Sequence, residues 1–177
     1  TKHLDLETIG RMMDALVKSE GEPDLLQLSG GEPTIHPDIV RIIDMARERP
    51  IRHLMINTNG LRIAADPAFV EELAKRKKGL EIYLQFDSLN PAAIENLRGA
   101  DLSKVRRKAL DALEAYGIST TLVCTVKKGV NDHEMKAIID HALTYTCVRG
   151  VTFQPVQDTG RNEGFDPKTN RVLLSEI

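Results

Sequence analysis

The sequence predicts an α/β protein built on a parallel sheet, a single domain over residues 1–177. Three observations carry this expectation. Helix-period and strand-like segments alternate along the chain, no linker or low-complexity stretch interrupts them, and an apolar content of 41% is enough for a real core. Repeated β-α-β units imply right-handed crossovers, and the pattern leaves two sheet forms open: an open doubly wound sheet, or a barrel or partial barrel.

The elements follow in order. Leu6, Ile9, Met13 and Leu16 recur at helical spacing, so residues ~5–20 read as an amphipathic helix. "PDLLQLS" reads as a short buried strand. Pro37 is expected to open a second helix, with Ile39, Ile42, Ile43 and Ala46 inward and Pro50 ending it. "IRHLMIN" is the next strand. Asp66 and Pro67 form an N-cap and first-turn pair, with Phe69, Val70 and Leu73 inward and Gly79 as the stop. "LEIYLQF" alternates as a strand, and a short helix is expected from Pro91 to Leu97. Leu102, Val105, Ala109, Leu110 and Leu113 mark a longer helix that stops at Gly117. "ISTTLVCTV" is β-branched and strand-like. Asn131 and Glu134 have capping-box spacing before a helix whose core face is Met135, Ile138, Ile139 and Ala142. "VRGVTFQPV" is the fifth strand. From Asp158 the chain turns polar and Gly-rich, and Val172 to Ile177 is read as the start of one more element.

A net charge of −2 and a pI near 6.2 give no electrostatic case for nucleic-acid or membrane-surface partners. The Lys75 to Lys78 cluster closes a helix, where cations suit the negative end of the dipole. No apolar run approaches the ~20 residues of a membrane span, and no signal peptide is visible, which makes the cytoplasm the expected compartment. Cys124 and Cys147 share no metal-ligand spacing and read as small buried hydrophobes. Because the chain starts at Thr1 and goes directly into a helical pattern, it is expected to be a piece of a longer protein.

In parallel α/β folds, ligands bind at the carboxyl ends of the strands. The polar residues there are Ser29 to Glu32, Asn57 to Gly60, Gln85, Asp87 and Ser88, then Thr125, Lys127 and Asn131, then Gln154 and Gln157. Loops are rich in such residues anyway. Gln85 and Gln154 are less easily dismissed, since they interrupt apolar strand sequence and a buried amide needs partners. In "LQLSGGEPTIHPD", Gly30 and Gly31 let a ligand approach the main chain, and Glu32 offers an anionic acceptor suited to an ammonium group. The stretch is not a P-loop, because no Gly-Lys-Ser/Thr follows, and it lacks the third glycine of a dinucleotide fingerprint.

"LSGGEPTIHPD" resembles the second-strand motif of radical S-adenosylmethionine (radical SAM) enzymes, in which Gly-Gly-Glu-Pro holds the methionine amino group of SAM. "INTNG", "LQFDSLNPAAIENLRG", "VKKGVNDHE" and "VTFQPV" resemble the following strand ends in the same order. The resemblance covers nearly the whole chain. It implies a partial (β/α)6 parallel barrel whose first strand and cluster loop are missing, truncated at the N-terminus and also at the C-terminus. It implies that Gly30, Gly31 and Glu32 bind the SAM amine and methionyl backbone, and that Gln85 stands against SAM. It further implies that Arg98 pairs with the SAM carboxylate, that Val126 and Gln154 lie near the adenine, and that Asn57 and Thr58 face the cavity.

The cofactors implied are SAM and a [4Fe–4S] cluster, which in this family reductively cleaves SAM to a 5′-deoxyadenosyl radical that abstracts a substrate hydrogen. The cluster's usual CxxxCxxC loop is not in this chain, so the fragment alone is expected to be inactive. The full-length enzyme would also need an electron donor and a substrate. "KKGVNDHE", "RGVTFQPV" and "TGR" resemble a methyltransferase-like and tetraether-lipid-synthase-like branch, implying methyl transfer or C–C coupling. The GTP cyclase of molybdenum cofactor biosynthesis is the alternative. A non-catalytic SAM-binding or scaffold module, and a barrel enzyme using Glu32 with Asp87 for acid/base chemistry, are the readings from other classes.

Overall fold

Asp5 opens the first helix by accepting the Thr8 N–H at 2.7 Å, and α1 (Leu6–Glu20) ends at Gly21, whose φ is 73°. The structure, a computed structural model, describes residues 3–156 and 166–173. After α1 come β1 (Leu26–Leu28), a 3₁₀ turn (Pro33–Ile35), α2 (Ile39–Arg47), β2 (Leu54–Thr58), α3 (Leu61–Ala65), α4 (Pro67–Ala74) and β3 (Leu80–Gln85). Then follow α5 (Pro91–Arg98), α6 (Ser103–Tyr116), β4 (Thr120–Val126), a 3₁₀ turn (Asp132–Glu134), α7 (Met135–Ala142), β5 (Val148–Pro155) and α8 (Pro167–Asn170).

All strands pair in parallel, in the order β1-β2-β3-β4-β5. Strand order equal to chain order, with right-handed crossovers, places every connecting helix on one face. That decides between the two sheet forms in favour of the partial barrel, since a doubly wound sheet reverses direction partway. The helix face is the core. Leu54, Ile56, Leu80, Ile82, Leu84, Leu122 and Cys124 lie buried in one cluster with Ile43, Leu73, Leu110 and Leu113. Each such buried aliphatic side chain stabilises the fold by about 1.5–3 kcal/mol.

Side chains alternate across a strand, and parallel register keeps paired residues on the same side. The opposite face therefore carries Gln27, Met55, Asn57, Glu81, Tyr83, Gln85, Thr121, Val123, Thr125, Thr152 and Gln154. Towards the amino ends of the strands this face is tied together: Glu81 accepts from the Thr121 hydroxyl and pairs with His53 Nε2 at 2.9 Å. An irregularity at Thr120/Thr121 puts Val148 and Val151, three residues apart, on the same core face. The outer edge of β1 has no strand partner among the described residues, and beside it lies a cavity of about 590 Å³ lined by Ile9, Met12, Leu16, Leu28 and Ile42.

Several local expectations are corrected. The second helix begins at Ile39 rather than Pro37, and α3 and the Pro33–Ile35 turn fill stretches that lie between the expected elements. Asn131 makes no cap hydrogen bond, and Ile139 is 42% exposed rather than in the core. Val172 is buried, but residues 171–173 form no regular element. Gln157, the Gly-rich run after Asp158 and residues 174–177 lie outside the described residues.

Candidate functional site

The open polar face meets the strand ends at Ser29–Glu32, and the main chain there is shaped for contact. Gly30 and Gly31 have φ of 100° and 58°, and a Cβ added at either would meet no atom within 4 Å. Glycine is therefore required by backbone conformation rather than by lack of room, and both residues are exposed. Neither residue forms a backbone or side-chain hydrogen bond to the described residues. At the next strand end Gly60 (φ 79°) is required by both conformation and space, since a Cβ would lie 2.7 Å from Leu84 Cδ1.

Glu32 holds these two strand ends together. Its carboxylate accepts from Thr34 N–H (3.1 Å), the Thr34 hydroxyl (2.7 Å), the Thr58 hydroxyl (2.7 Å) and Asn59 N–H (2.7 Å). Three of those donors reach Oε1 and only Asn59 reaches Oε2, so the capacity left for an outside donor is on Oε2. The expectation of a carboxylate freely presented to an ammonium is thus narrowed: the side chain mainly shapes the loop, and the main chain of Gly30 and Gly31 provides the open surface.

The remaining predicted residues separate by face. Asn57, Gln85 and Gln154 lie on the open face, Gln85 half-buried and Gln154 exposed, so neither glutamine is the sealed amide its sequence context suggested. Asn57 Oδ1 is buried with no hydrogen-bond partner among the described residues, an unmet acceptor on the polar face. Thr58 is a correction, and the Val126 side chain points away from the open face. Thr58 is fully buried on the helix side, where it serves Glu32, and Val126 is 1% exposed on that same side. Alternation makes Thr125, not Val126, the β4 side chain on the open face.

Arg98 is near the site but already engaged. Asp87 is fully buried at the end of β3 and is the only non-glycine described residue with positive φ (64°). Its Oδ2 accepts from Arg98 Nε (2.8 Å) and Arg106 Nη2 (2.5 Å), and its Oδ1 from Arg98 Nη2 (2.6 Å) and Thr125 N–H (3.2 Å). Arg98 Nη2 also reaches Thr125 Oγ1 at 3.1 Å. The hydrogen bonds that Arg98 donates to Asp87 raise its pKa, whereas burial pulls that of Arg106 down. Asn131, 1% exposed, knits the ends of β3 and β4: its amide donates to Asp87 O (2.9 Å) and Thr125 O (2.8 Å), and its Oδ1 accepts from Lys127 N–H (2.9 Å). Sequence reasoning missed Arg106, although it falls on the apolar stripe of α6 between Leu102 and Leu110, where a charge signals a buried partner.

His36 is structural. His36 is buried, its Nδ1 accepts from Asp38 N–H (3.0 Å), and Nε2 therefore donates to Leu4 O (2.9 Å). Burial pushes the thiols of both Cys124 and Cys147 up to about 12, so neither is primed to bind a metal.

The family model of the Radical SAM superfamily matches residues 1–142. A 7,8-dihydro-6-hydroxymethylpterin dimethyltransferase of Methanocaldococcus jannaschii is 37% identical over 175 residues, 97% of this chain but 34% of the relative. A GTP 3′,8-cyclase of Syntrophomonas wolfei is 32% identical over 159 residues, 88% of this chain and 47% of that protein. The chain thus spans about a third to a half of the length of these relatives. Among solved structures, Streptococcus suis SuiB bound to S-adenosylmethionine superimposes with a TM-score of 0.68 at 18% identity, covering 90% of this chain and 36% of that one. The enzyme anSMEcpe with bound AdoMet and a peptide gives 0.65 at 16% identity, covering 93% of this chain and 48% of that one. These two likenesses concern the fold, whereas the family match and the sequence relatives carry the assignment: the chain belongs to the radical SAM superfamily.

Proposed function

We propose that the carboxyl ends of β1 to β5 form the SAM site of a radical SAM enzyme. The observation that carries this reading is the exposed Gly30–Gly31 main chain, beside a polar sheet face on which Asn57 Oδ1 lacks a partner among the described residues. Peptide carbonyls and the remaining acceptor capacity of Glu32 Oε2 suit the three donors of an ammonium group, and a carboxylate at this position disfavours phosphate. Arg98 keeps Nη1 without a hydrogen bond to the described residues, which suits a ligand carboxylate. Gln85, Asn57, Thr125 and Gln154 supply hydrogen-bonding groups along the open face for the nucleoside. The helix-covered face excludes water behind them.

The superfamily's [4Fe–4S] cluster does not fit the cysteines of this chain. Cys124 is fully buried on the helix side, Cys147 is 3% exposed, and both thiols are held protonated. We place its ligands elsewhere in the protein. Held there, the cluster would supply the electron for reductive SAM cleavage. The residues of this chain bind and orient SAM and keep its surroundings dry.

For the reaction we infer methyl transfer or C–C coupling, supported by the pterin dimethyltransferase relative. A GTP-cyclase-like reaction is the second reading, supported by the GTP 3′,8-cyclase relatives. The reading also includes an external electron donor and a cytoplasmic location, and no helix among the described residues is long and apolar enough to cross a membrane. The test is anaerobic incubation of the intact, cluster-reconstituted protein with SAM and a strong reductant. Formation of methionine and 5′-deoxyadenosine is expected, and a reduced cluster that leaves SAM uncleaved would refute the reading.

A further inference from the structure

Asp87 has a place in the site that its own chemistry does not explain. Both of its oxygens are saturated: Arg98 Nε and Arg106 Nη2 on one, Arg98 Nη2 and Thr125 N–H on the other. A carboxylate accepts about four hydrogen bonds, so Asp87 has no capacity left to act as a base or to take a ligand donor. Its backbone is nonetheless held at φ 64°, a conformation that is costly for a non-glycine residue, and its carbonyl is pinned by Asn131 Nδ2 at 2.9 Å. The residue is over-determined, and what it determines is the pose of Arg98.

The two arginines are held differently. Arg106 is 1% exposed and bonded to Gln85 O at 2.8 Å, so it forms the floor beneath Asp87. The Arg98 side chain is 30% exposed and is gripped along one edge, Nε and Nη2, by both Asp87 oxygens. A planar guanidinium bound on that edge has its rotation fixed. Thr125, on the open face of β4, receives a second bond from Nη2 at 3.1 Å, which sets the plane on the ligand side. The Nη1 edge is the part left over.

We propose that Asp87 is a positioning residue for carboxylate recognition. It fixes the Arg98 guanidinium by its Nε/Nη2 edge, so that Nη1 is preorganised for the carboxylate of an amino-acid-bearing nucleoside. This rests on the reading of the strand ends as a SAM site and adds to it: affinity for the carboxylate is set by a buried residue that does not touch the ligand. A freely rotating arginine would lose more side-chain freedom on binding.

The test is calorimetric titration of the intact protein with SAM and with 5′-methylthioadenosine, which keeps the nucleoside and lacks the carboxylate. Asp87→Asn is expected to weaken SAM binding about tenfold, the effect of losing one well-oriented charge-assisted contact. It should leave 5′-methylthioadenosine within about twofold of the parent, and combining it with Arg98→Ala should cost no more than Arg98→Ala alone. Arg98→Lys keeps the charge and, at a half-exposed position, the fold. It cannot bridge Asp87 and present a second edge, so it should lose SAM selectively in the same way even if Asp87→Asn fails to fold. Equal losses for both ligands, parent-like SAM affinity in Arg98→Lys, or additive losses in the double variant would each overturn the proposal while leaving the SAM site intact. A parent that binds 5′-methylthioadenosine but does not prefer SAM overturns the proposal alone. A parent that binds neither removes the underlying reading as well.

Discussion

Replacing Glu32 tests whether its carboxylate is first a clasp and only then a ligand contact. In the parent it collects the hydrogen bonds of Thr34, Thr58 and Asn59 across two strand ends, and Thr34 and Thr58 are fully buried. Hydrogen bonds to a charged group contribute about 1.5–3 kcal/mol each, and a buried donor left unpaired costs about 1–3 kcal/mol. Glu32→Gln can keep an oxygen towards the three donors on Oε1, but it turns an amide N–H₂ towards Asn59 N–H. We expect a loss of about 2 kcal/mol from that clash and the weaker neutral bonds. Glu32→Ala abandons all the donors, some of which regain water, and should cost about 4 kcal/mol. At about 2–4 °C per kcal/mol for a domain of this size, Tm falls by roughly 5 °C and 10 °C respectively. Differential scanning calorimetry of the intact protein measures both. If Glu32→Ala melts within about 1 °C of the parent while losing SAM, the clasp reasoning is wrong and the carboxylate serves the ligand alone.

Other expectations follow from equally local geometry. Asn131→Ala removes three hydrogen bonds to the ends of β3 and β4 and should cost about 2–4 kcal/mol by thermal unfolding; a change below about 0.5 kcal/mol would contradict its bridging role. Gly30→Ala and Gly31→Ala add no clash, only positive-φ strain of about 1–2 kcal/mol, and a neutral melting temperature in either would refute the observed backbone. Glu114 accepts from Thr146 N–H, Thr146 Oγ1 and Cys147 N–H, which hold its pKa at about 2 instead of the ordinary 4.5. Its contribution is therefore present above pH 4.5 and lost as pH falls towards 2, and Glu114→Gln should flatten the stability curve over that window. Both cysteines should resist alkylation in the native state and react only after denaturation; fast labelling of either would contradict their buried, protonated setting.

The sequence was most legible where a single physical rule dominates. Apolar periodicity located the five strands and most helices, and Asp66–Pro67 does open α4 as an N-cap and first-turn pair; Asn90–Pro91 opens α5 in the same way. Strand order was not legible in the alternation, which both sheet forms share; the family resemblance implied the partial barrel, and the pairing bears it out. Reading strand ends as a list also hid the two-residue period: Asn57 and Thr58 are adjacent but point to opposite faces, and so do Thr125 and Val126. Asn131 shows a different limit. Its spacing to Glu134 matched a capping box, yet a partner 44 positions away in the chain, the Asp87 carbonyl, claimed its amide. Long-range pairing of this kind, like the Asp87–Arg106 contact, leaves little local trace.

The central claim is that SAM lies across the carboxyl ends of these strands, with its amine on the Gly30–Gly31 main chain. A crystal structure of the intact protein with SAM tests it most directly. The account predicts the methionine ammonium within hydrogen-bonding distance of Gly30 or Gly31, the carboxylate on Arg98 Nη1 and the adenosine along the face that carries Asn57, Gln85 and Thr125. SAM with its ammonium away from both Gly30 and Gly31, or with its carboxylate away from Arg98, would contradict it.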